Sequence, residues 1–552
     1  MSDNPLLGLT GLPPFSSITP EHIEPAIDAL LAECRATVAR VLADNTAYTW
    51  ANLVQPIEDV EDKLSRAWSP IGHMNSVVNS EPLRAAYNAC LPKLSEYGTE
   101  MGQNEPLYAA YKQIAEGPEF AALDAAQCKI VGNALRDFKL SGIALAPAQR
   151  ERYKAVMQEL SSLHAKFEEN LLDATNAWKL QITDAARLSG LPESAVALAK
   201  QTGEREGMDG WVFNLEYPSY YPVLTYADDR ALRRELYAAY VTRASDEGPH
   251  AGQWDNGPIM EQILALRHEA AQLLGFANYA ERSLATKMAQ STDQVMRFLT
   301  DLADRSLPRA RADLDELRRF AREQHGAQEL ESWDIPYYSE KLRQHKYAIS
   351  QEELKPYFPE TRVLPGMFAV VQRLYGLQIA EVQSVDTWHP DVRFYEIKDS
   401  RGDLRGRFYL DLYARPHKRG GAWMDDCIAR RMTVSGLQTP VAYLTCNFSP
   451  PIGNDPALFT HDEVITLFHE FGHGLHHMLT QVDYAGVSGI NGVAWDAVEL
   501  PSQFMENWCW EREALDLIAG HYQTGEPLPQ ALYERMQAAK NFQSAMQMVR
   551  QL

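Results

Sequence analysis

The sequence predicts a mostly α-helical protein in two or more lobes, with one small β-sheet set among the helices. Three observations carry that prediction. A chain of 552 residues, 45% of them apolar, is too long for a single hydrophobic core. Apolar residues recur at helical spacing over long stretches. One short region, from about 380 to 450, switches to aromatic and β-branched runs.

From about residue 20 to 180 the helical period is continuous in stretches such as "EHIEPAIDALLAECRATVARVL" and "RERYKAVMQELSSLHAKFEENLLDATNAW". A second helical stretch runs from about 227 to 330. It is interrupted at "SDEGPHAGQWDNGP", whose Gly, Pro, Asp and Asn mark a loop before the helix "IMEQILALRHEAAQLLGF". The strands expected next are "VRFYEIK" and "RGRFYLDLY", joined through "DSRGD", and then "PVAYLTCNF". The final "ALYERMQAAKNFQSAMQMVRQL" reads as one amphipathic helix with no glycine cap or polar tail, which raises the expectation of a chain incomplete at its C-terminus. No repeat of fixed period stands out, which disfavours a solenoid.

Charge and composition remove several function classes. The formal charge is 52 − 74 = −22, with no basic stripe to neutralise phosphates, so nucleic acid is not an expected partner. The start, "MSDNPLLGLTGLPPF", lacks a charged n-region before an apolar run, and no eighteen-residue apolar stretch occurs. The expectation is a soluble, cytoplasmic protein without membrane association. The six cysteines are scattered, as reduced, buried thiols would be.

Chemistry concentrates in "TLFHEFGHGLHH", residues 466–477. His469, Glu470, Phe471, Gly472 and His473 spell H-E-x-x-H. Two histidines four apart on a helix share a face, and both imidazoles can reach one Zn2+ at roughly 2.0 to 2.1 Å. The metal lowers the pKa of a bound water to about 7 and polarises a carbonyl, and Glu470 accepts the proton. Thr460 and Glu463 have capping-box spacing, marking the helix start. At about 100° per residue, Val464, Leu467, Phe468, Phe471, Leu475 and Met478 form one apolar stripe. All four histidines fall on the other side, toward a cleft or solvent. His476 lies roughly 10 Å beyond His469 along the axis and cannot share its ion, and the His473/His477 pair has glycine where a base is needed. His476 and His477 are therefore expected near substrate, beside the ligands or at the surface. Gly472 and Gly474 weaken the helix, as is tolerable where backbone approaches a metal or substrate closely.

A hydrolytic zinc site needs a third protein ligand. The H-E-x-x-H-x-x-G-x-x-H arrangement is excluded because His476 stands at its glycine. After the glycine-rich "YAGVSGINGV" comes the helical run "WDAVELPSQFMENWCWEREALDLI". Glu499 leads as the ligand and Glu506, two turns later on the same face, is second. Asp496 and Glu499 also have capping-box spacing, so position alone leaves the ligand open.

"FHEFGHGLHHML" followed by "WDAVELPSQFMENW" resembles the thimet oligopeptidase family of zinc metallopeptidases, in particular its bacterial oligopeptidase A branch. The resemblance extends through "GGAWMDDC", "PVAYLTCNF", "RHEAAQLLGFANYAERSLATKMA" and "WDIPYYSEK" and covers most of the chain. It implies His469, His473 and Glu499 as ligands of one Zn2+ per chain, with Glu470 as general base. It further implies a two-lobed helical body with a deep substrate channel and the sheet beside the zinc site, acting as a monomer on short peptides. Residues 1–180 would form an N-terminal helical region. Residues 181–552 would form the catalytic region, with its zinc helix at 460–480 and its C-terminal part missing. A strand near "PVAYLTCNF" could pair with an extended peptide or serve as an ordinary core strand. Family members continue into a segment whose tyrosine and histidine stabilise the oxyanion, and loss of one such donor typically costs about 10² to 10³ in rate. The function this implies is zinc-dependent endopeptidase cleavage of short peptides. The alternatives are a dipeptidyl carboxypeptidase of the same family and a peptide-binding protein without turnover.

Overall fold

The computed structural model describes residues 4–552 and is mostly helical, with one five-stranded sheet. Helices Pro20–Asp44, Gln55–Val77 and Glu81–Gly102 pack around Ile23, Ile27, Leu31, Ala67 and Ile71, all at most 2% exposed. The 31-residue helix Pro147–Ala177 packs against both Glu81–Gly102 and Gly257–Leu273. It thereby ties the N-terminal helices to those that follow. Strands β1 (Lys179–Ile182) and β2 (Trp211–Asn214) make a separate antiparallel ribbon.

The central sheet holds β3 (Gln378–Glu381), β4 (Arg393–Lys398), β5 (Leu404–Tyr413), β6 (Trp423–Ile428) and β9 (Val441–Phe448), in the order β3-β4-β5-β9-β6. Between β6 and β9 a small hairpin, β7 (Arg431–Thr433) and β8 (Gly436–Gln438), stands apart. The "DSRGD" junction turns as its residues dictate. Asp399 accepts the Arg401 and Asp403 amides, and Gly402 takes the left-handed φ of +87°.

Two expectations need correction. The "PVAYLTCNF" strand, β9, cannot receive a peptide, because β5 pairs with it in parallel and β6 antiparallel, so both its edges are used. Strand order depends on long-range pairing that a local pattern does not encode. The sheet's edge strands are β3 and β6, and β6 is the one that lies beside β9 and the helix carrying the H-E-x-x-H motif. The final stretch is two helices, Gln530–Ala539 and Ser544–Gln551, broken where Gln543 adopts φ +55°. The break lets Phe542 pack against Leu317, Phe320 and Leu342, and the last helix then lies on Thr292–His325.

A buried charge cluster locks the loop after β5 onto the sheet. Lys418 has a fully buried side chain, and its Nζ donates to Asp411 Oδ1 (2.8 Å) and to the carbonyls of Tyr413 (2.8 Å) and Cys446 (2.6 Å). Arg415 grips the same carboxylate with two bonds of 2.7 Å and also donates to Val77 O on the N-terminal helices. Burial alone would raise the Asp411 carboxyl, but these two cations hold it well below the usual range. Asp411→Asn leaves Lys418 buried without its counter-ion and is expected to destabilise the fold by about 3 to 5 kcal/mol in denaturant unfolding. A carboxyl depressed in the folded state stabilises the fold above its unfolded pKa of about 3.9. That contribution is lost as pH falls through the folded value, and the variant should lack this acid sensitivity.

Candidate metal centre

The helix His461–Met478 starts as its residues predict. Glu463 N–H donates to Thr460 Oγ1 (3.1 Å), and Thr460 N–H donates back to Glu463 Oε2 (2.8 Å). Val464, Leu467, Phe468, Phe471, Leu475 and Met478 are all at most 5% exposed, in the same core as Phe408, Leu410 and Leu444 of the sheet. The histidine side of the helix is open only in part: His469 and His476 remain partly exposed, as expected of a face toward a cleft, while the other two are covered. His473 is 8% exposed and His477 wholly buried, with its Nε2 donating to Ile428 O of β6 at 3.1 Å. Helix angle assigns a face, but not what packs on it.

The two glycines explain how closely the helix is approached on both sides. A Cβ on Gly474 would sit 3.1 Å from Leu444 Cδ2 of β9, and one on Gly472 only 2.6 Å from Pro501 O and Ser502 Cα. The close approach that Gly472 permits is therefore to the backbone of helix Leu500–Glu506. That contact draws in the carboxylate immediately before the helix. Glu499 Oε2 lies 3.0 Å from His473 Nε2 and 3.1 Å from His469 Nε2. Burial would raise the Glu499 carboxyl, but the Ser502 hydroxyl at 2.8 Å and the two imidazoles bring it below its usual value.

These three atoms form a cluster able to hold a metal ion. A tetrahedral ion with bonds of about 2.0 to 2.1 Å spaces its ligand atoms roughly 3.3 Å apart, and the two spacings to Glu499 nearly match it. Two nitrogens and one carboxylate oxygen suit zinc and leave a position open. Glu506, second in line as a ligand, instead accepts from His469 Nδ1 at 2.7 Å. It thus fixes the tautomer that leaves Nε2 free to bind. The two-turn spacing of Glu499 and Glu506 was the available signal, since it puts both carboxylates against one imidazole. Glu506→Gln is expected to weaken zinc binding about 10- to 100-fold in a chelator competition, with folding intact.

Glu470 is 5% exposed, and its Oε2 has no hydrogen-bond partner among the described residues. Burial pushes its carboxyl up to about 7. His469 opposes the rise and Glu499 adds to it. A carboxyl in that range beside the cluster can exchange a proton near neutral pH. The predicted capping box of Asp496 and Glu499 does not form. Asp496 accepts the amides of Met288 and Ala289, at 2.9 to 3.1 Å, and so anchors this segment to the chain before helix Thr292–His325. His476 is half-buried and outside the cluster. Among the described residues no helix is long and apolar enough to cross a membrane.

Comparison with known proteins places these features. The family model described as Peptidase family M3 matches residues 223–552, and that described as Neurolysin/Thimet oligopeptidase, N-terminal domain, matches residues 27–150. The chain is 58% identical over 550 residues to Oligopeptidase A of Salmonella typhimurium and of Escherichia coli, covering all of this chain and 81% of each relative. It is 31% identical over 538 residues to Dipeptidyl carboxypeptidase of Escherichia coli, covering 97% of this chain and 78% of that one. A solved structure of PZ peptidase A with an inhibitor shares the fold at a TM-score of 0.53 and 16% identity, over 96% of this chain and 74% of that one.

Proposed function

This chain belongs to peptidase family M3 and is a peptide-hydrolysing metallopeptidase, and from that premise we propose an oligopeptidase that cuts short peptides internally at one zinc ion per chain. The zinc ligands in this reading are His469, His473 and Glu499, and Glu470 is the general base. The observation that carries it is the position of Glu499 Oε2, within 3.1 Å of both imidazole Nε2 atoms.

Zinc held by these residues would supply Lewis acidity toward the scissile carbonyl and lower the pKa of a water, so that on losing a proton it becomes the nucleophile. The chain's own residues do the rest. Glu506 and the helix backbone orient His469, and Ser502 orients Glu499. Glu470 takes the proton of the attacking water and delivers it to the leaving amine. An apolar, unpartnered setting favours a carboxylate that holds a proton between those two transfers. The peptide lies extended along the open edge of β6, exchanging main-chain hydrogen bonds as an added strand. The site works in the cytosol, where the six free cysteines stay reduced.

Internal cleavage is favoured over release of C-terminal dipeptides by the 58% identity to relatives named Oligopeptidase A, against 31% to one named Dipeptidyl carboxypeptidase. Product masses from a ten-residue peptide separate the readings. Internal fragments of several lengths support the oligopeptidase, and successive loss of C-terminal dipeptides alone contradicts it. Stoichiometric binding without products would make the chain a peptide-binding protein.

A further inference from the structure

His477 and the glycine-rich loop after the metal helix are left unused by the chemistry above, yet both converge on β6. The hydrogen-bond directions of β6 follow from its neighbour. Arg407 N–H of β5 bonds Pro440 O, so Pro440 faces β5. By alternation, Tyr443 and Thr445 of β9 then face β6 and engage their register partners Asp425 and Trp423. Met424 and Asp426 therefore turn their peptide groups outward.

The outward groups of Asp426 are already occupied. Its N–H bonds Asp425 Oδ1 at 3.0 Å, and its carbonyl accepts from Ser69 Oγ of helix Gln55–Val77 at 2.9 Å. Its side chain accepts from Asn491 Nδ2 of the glycine-rich loop at 3.2 Å. Past an irregularity in the ladder, the Ile428 carbonyl accepts from His477. The loop is moulded to this histidine, since a Cβ on Gly489, at φ +61°, would lie 2.7 Å from His477 Nδ1. The open rung of β6 is thereby narrowed to Met424. His477 sits one turn from His473, roughly 6 Å along the same rigid helix.

We propose that His477 is a positioning residue for peptide hydrolysis: it ties the edge strand to the metal helix, so that the Met424 rung holds an extended peptide in register with the metal ligands. Ser69 and Asn491 close the strand beyond that rung, so an added peptide pairs on the Met424 side only. This rests on the reading of β6 as the peptide-binding edge.

The test is steady-state kinetics of the zinc-loaded full chain on a quenched-fluorescent peptide and on a set of its analogues, each N-methylated at one backbone position. In the wild type, one N-methyl position is expected to raise KM about tenfold by removing a main-chain donor. His477→Leu should raise KM of the parent peptide by a similar factor with kcat within about twofold, leave zinc affinity unchanged, and abolish the N-methyl penalty. His477→Gln, which retains a donor for Ile428 O, should restore both. Unchanged KM in His477→Leu, or an undiminished N-methyl penalty, overturns the proposal. Should the leucine variant fail to fold, Asn491→Ala decides, with a KM rise of about threefold expected and an unchanged KM counting against it. If no N-methyl position matters in the wild type, the reading of β6 as the peptide edge fails, whatever His477 does.

Discussion

Gly472→Ala is expected to separate the metal ligands without touching any of them. The new methyl group would meet Pro501 O and Ser502 Cα at 2.6 Å, and both are backbone atoms with no rotamer to yield. The helix carrying His469 and His473 must then move away from the segment that presents Glu499. Ligand distances tolerate only about 0.2 Å before affinity suffers, and a site about 1 Å too loose fails. Zinc affinity measured by chelator competition should fall at least 100-fold, and overpacking should destabilise the metal-free chain by about 1 to 3 kcal/mol. Retention of wild-type affinity would show that the Gly472 contact does not set the ligand spacing.

Glu470→Gln should do the reverse, keeping the metal and losing the reaction. The amide has nearly the shape of the carboxyl but cannot take a proton, so peptide turnover should fall about 10² to 10⁴-fold while zinc stoichiometry stays at one. Stability should change in a defined direction. Burial raises the folded Glu470 carboxyl from 4.5 to about 7, so the folded metal-free chain holds a proton that the unfolded chain releases. Its stability therefore falls as pH rises between those values, and the glutamine variant should lack that slope in unfolding experiments from pH 5 to 8. Turnover within about threefold of wild type would remove Glu470 from the mechanism.

Features written locally in the chain were legible. The Thr460/Glu463 capping box, the apolar stripe from Val464 to Met478 and the "DSRGD" turn each involve residues within a few positions of one another. Glu499 and Glu506 could be nominated by their two-turn spacing. Their division of labour, one at Nε2 and the other at Nδ1 of His469, depends on how closely two helices pack. That closeness is set by Gly472, whose lack of a side chain says only that something comes near.

Features requiring distant partners were not legible. The interior place of β9 depends on a β6 strand some twenty residues earlier folding back on it. The burial of His477 depends on the same strand, so a histidine that the sequence left open between substrate, ligands and surface lies inside, bonded to Ile428 O. The break at Gln543 accompanies a pocket for Phe542 built by residues 200 or more positions away.

The central claim is that His469, His473 and Glu499 hold the one metal ion that peptide hydrolysis requires. Its most direct test strips the chain of metal, titrates Zn2+ back and follows cleavage of a quenched-fluorescent peptide at each addition. Hydrolysis should rise linearly to a break at one zinc per chain, and His473→Ala should show neither the break nor the activity. Hydrolysis undiminished by stripping, or the same one-zinc endpoint in His473→Ala, would contradict it.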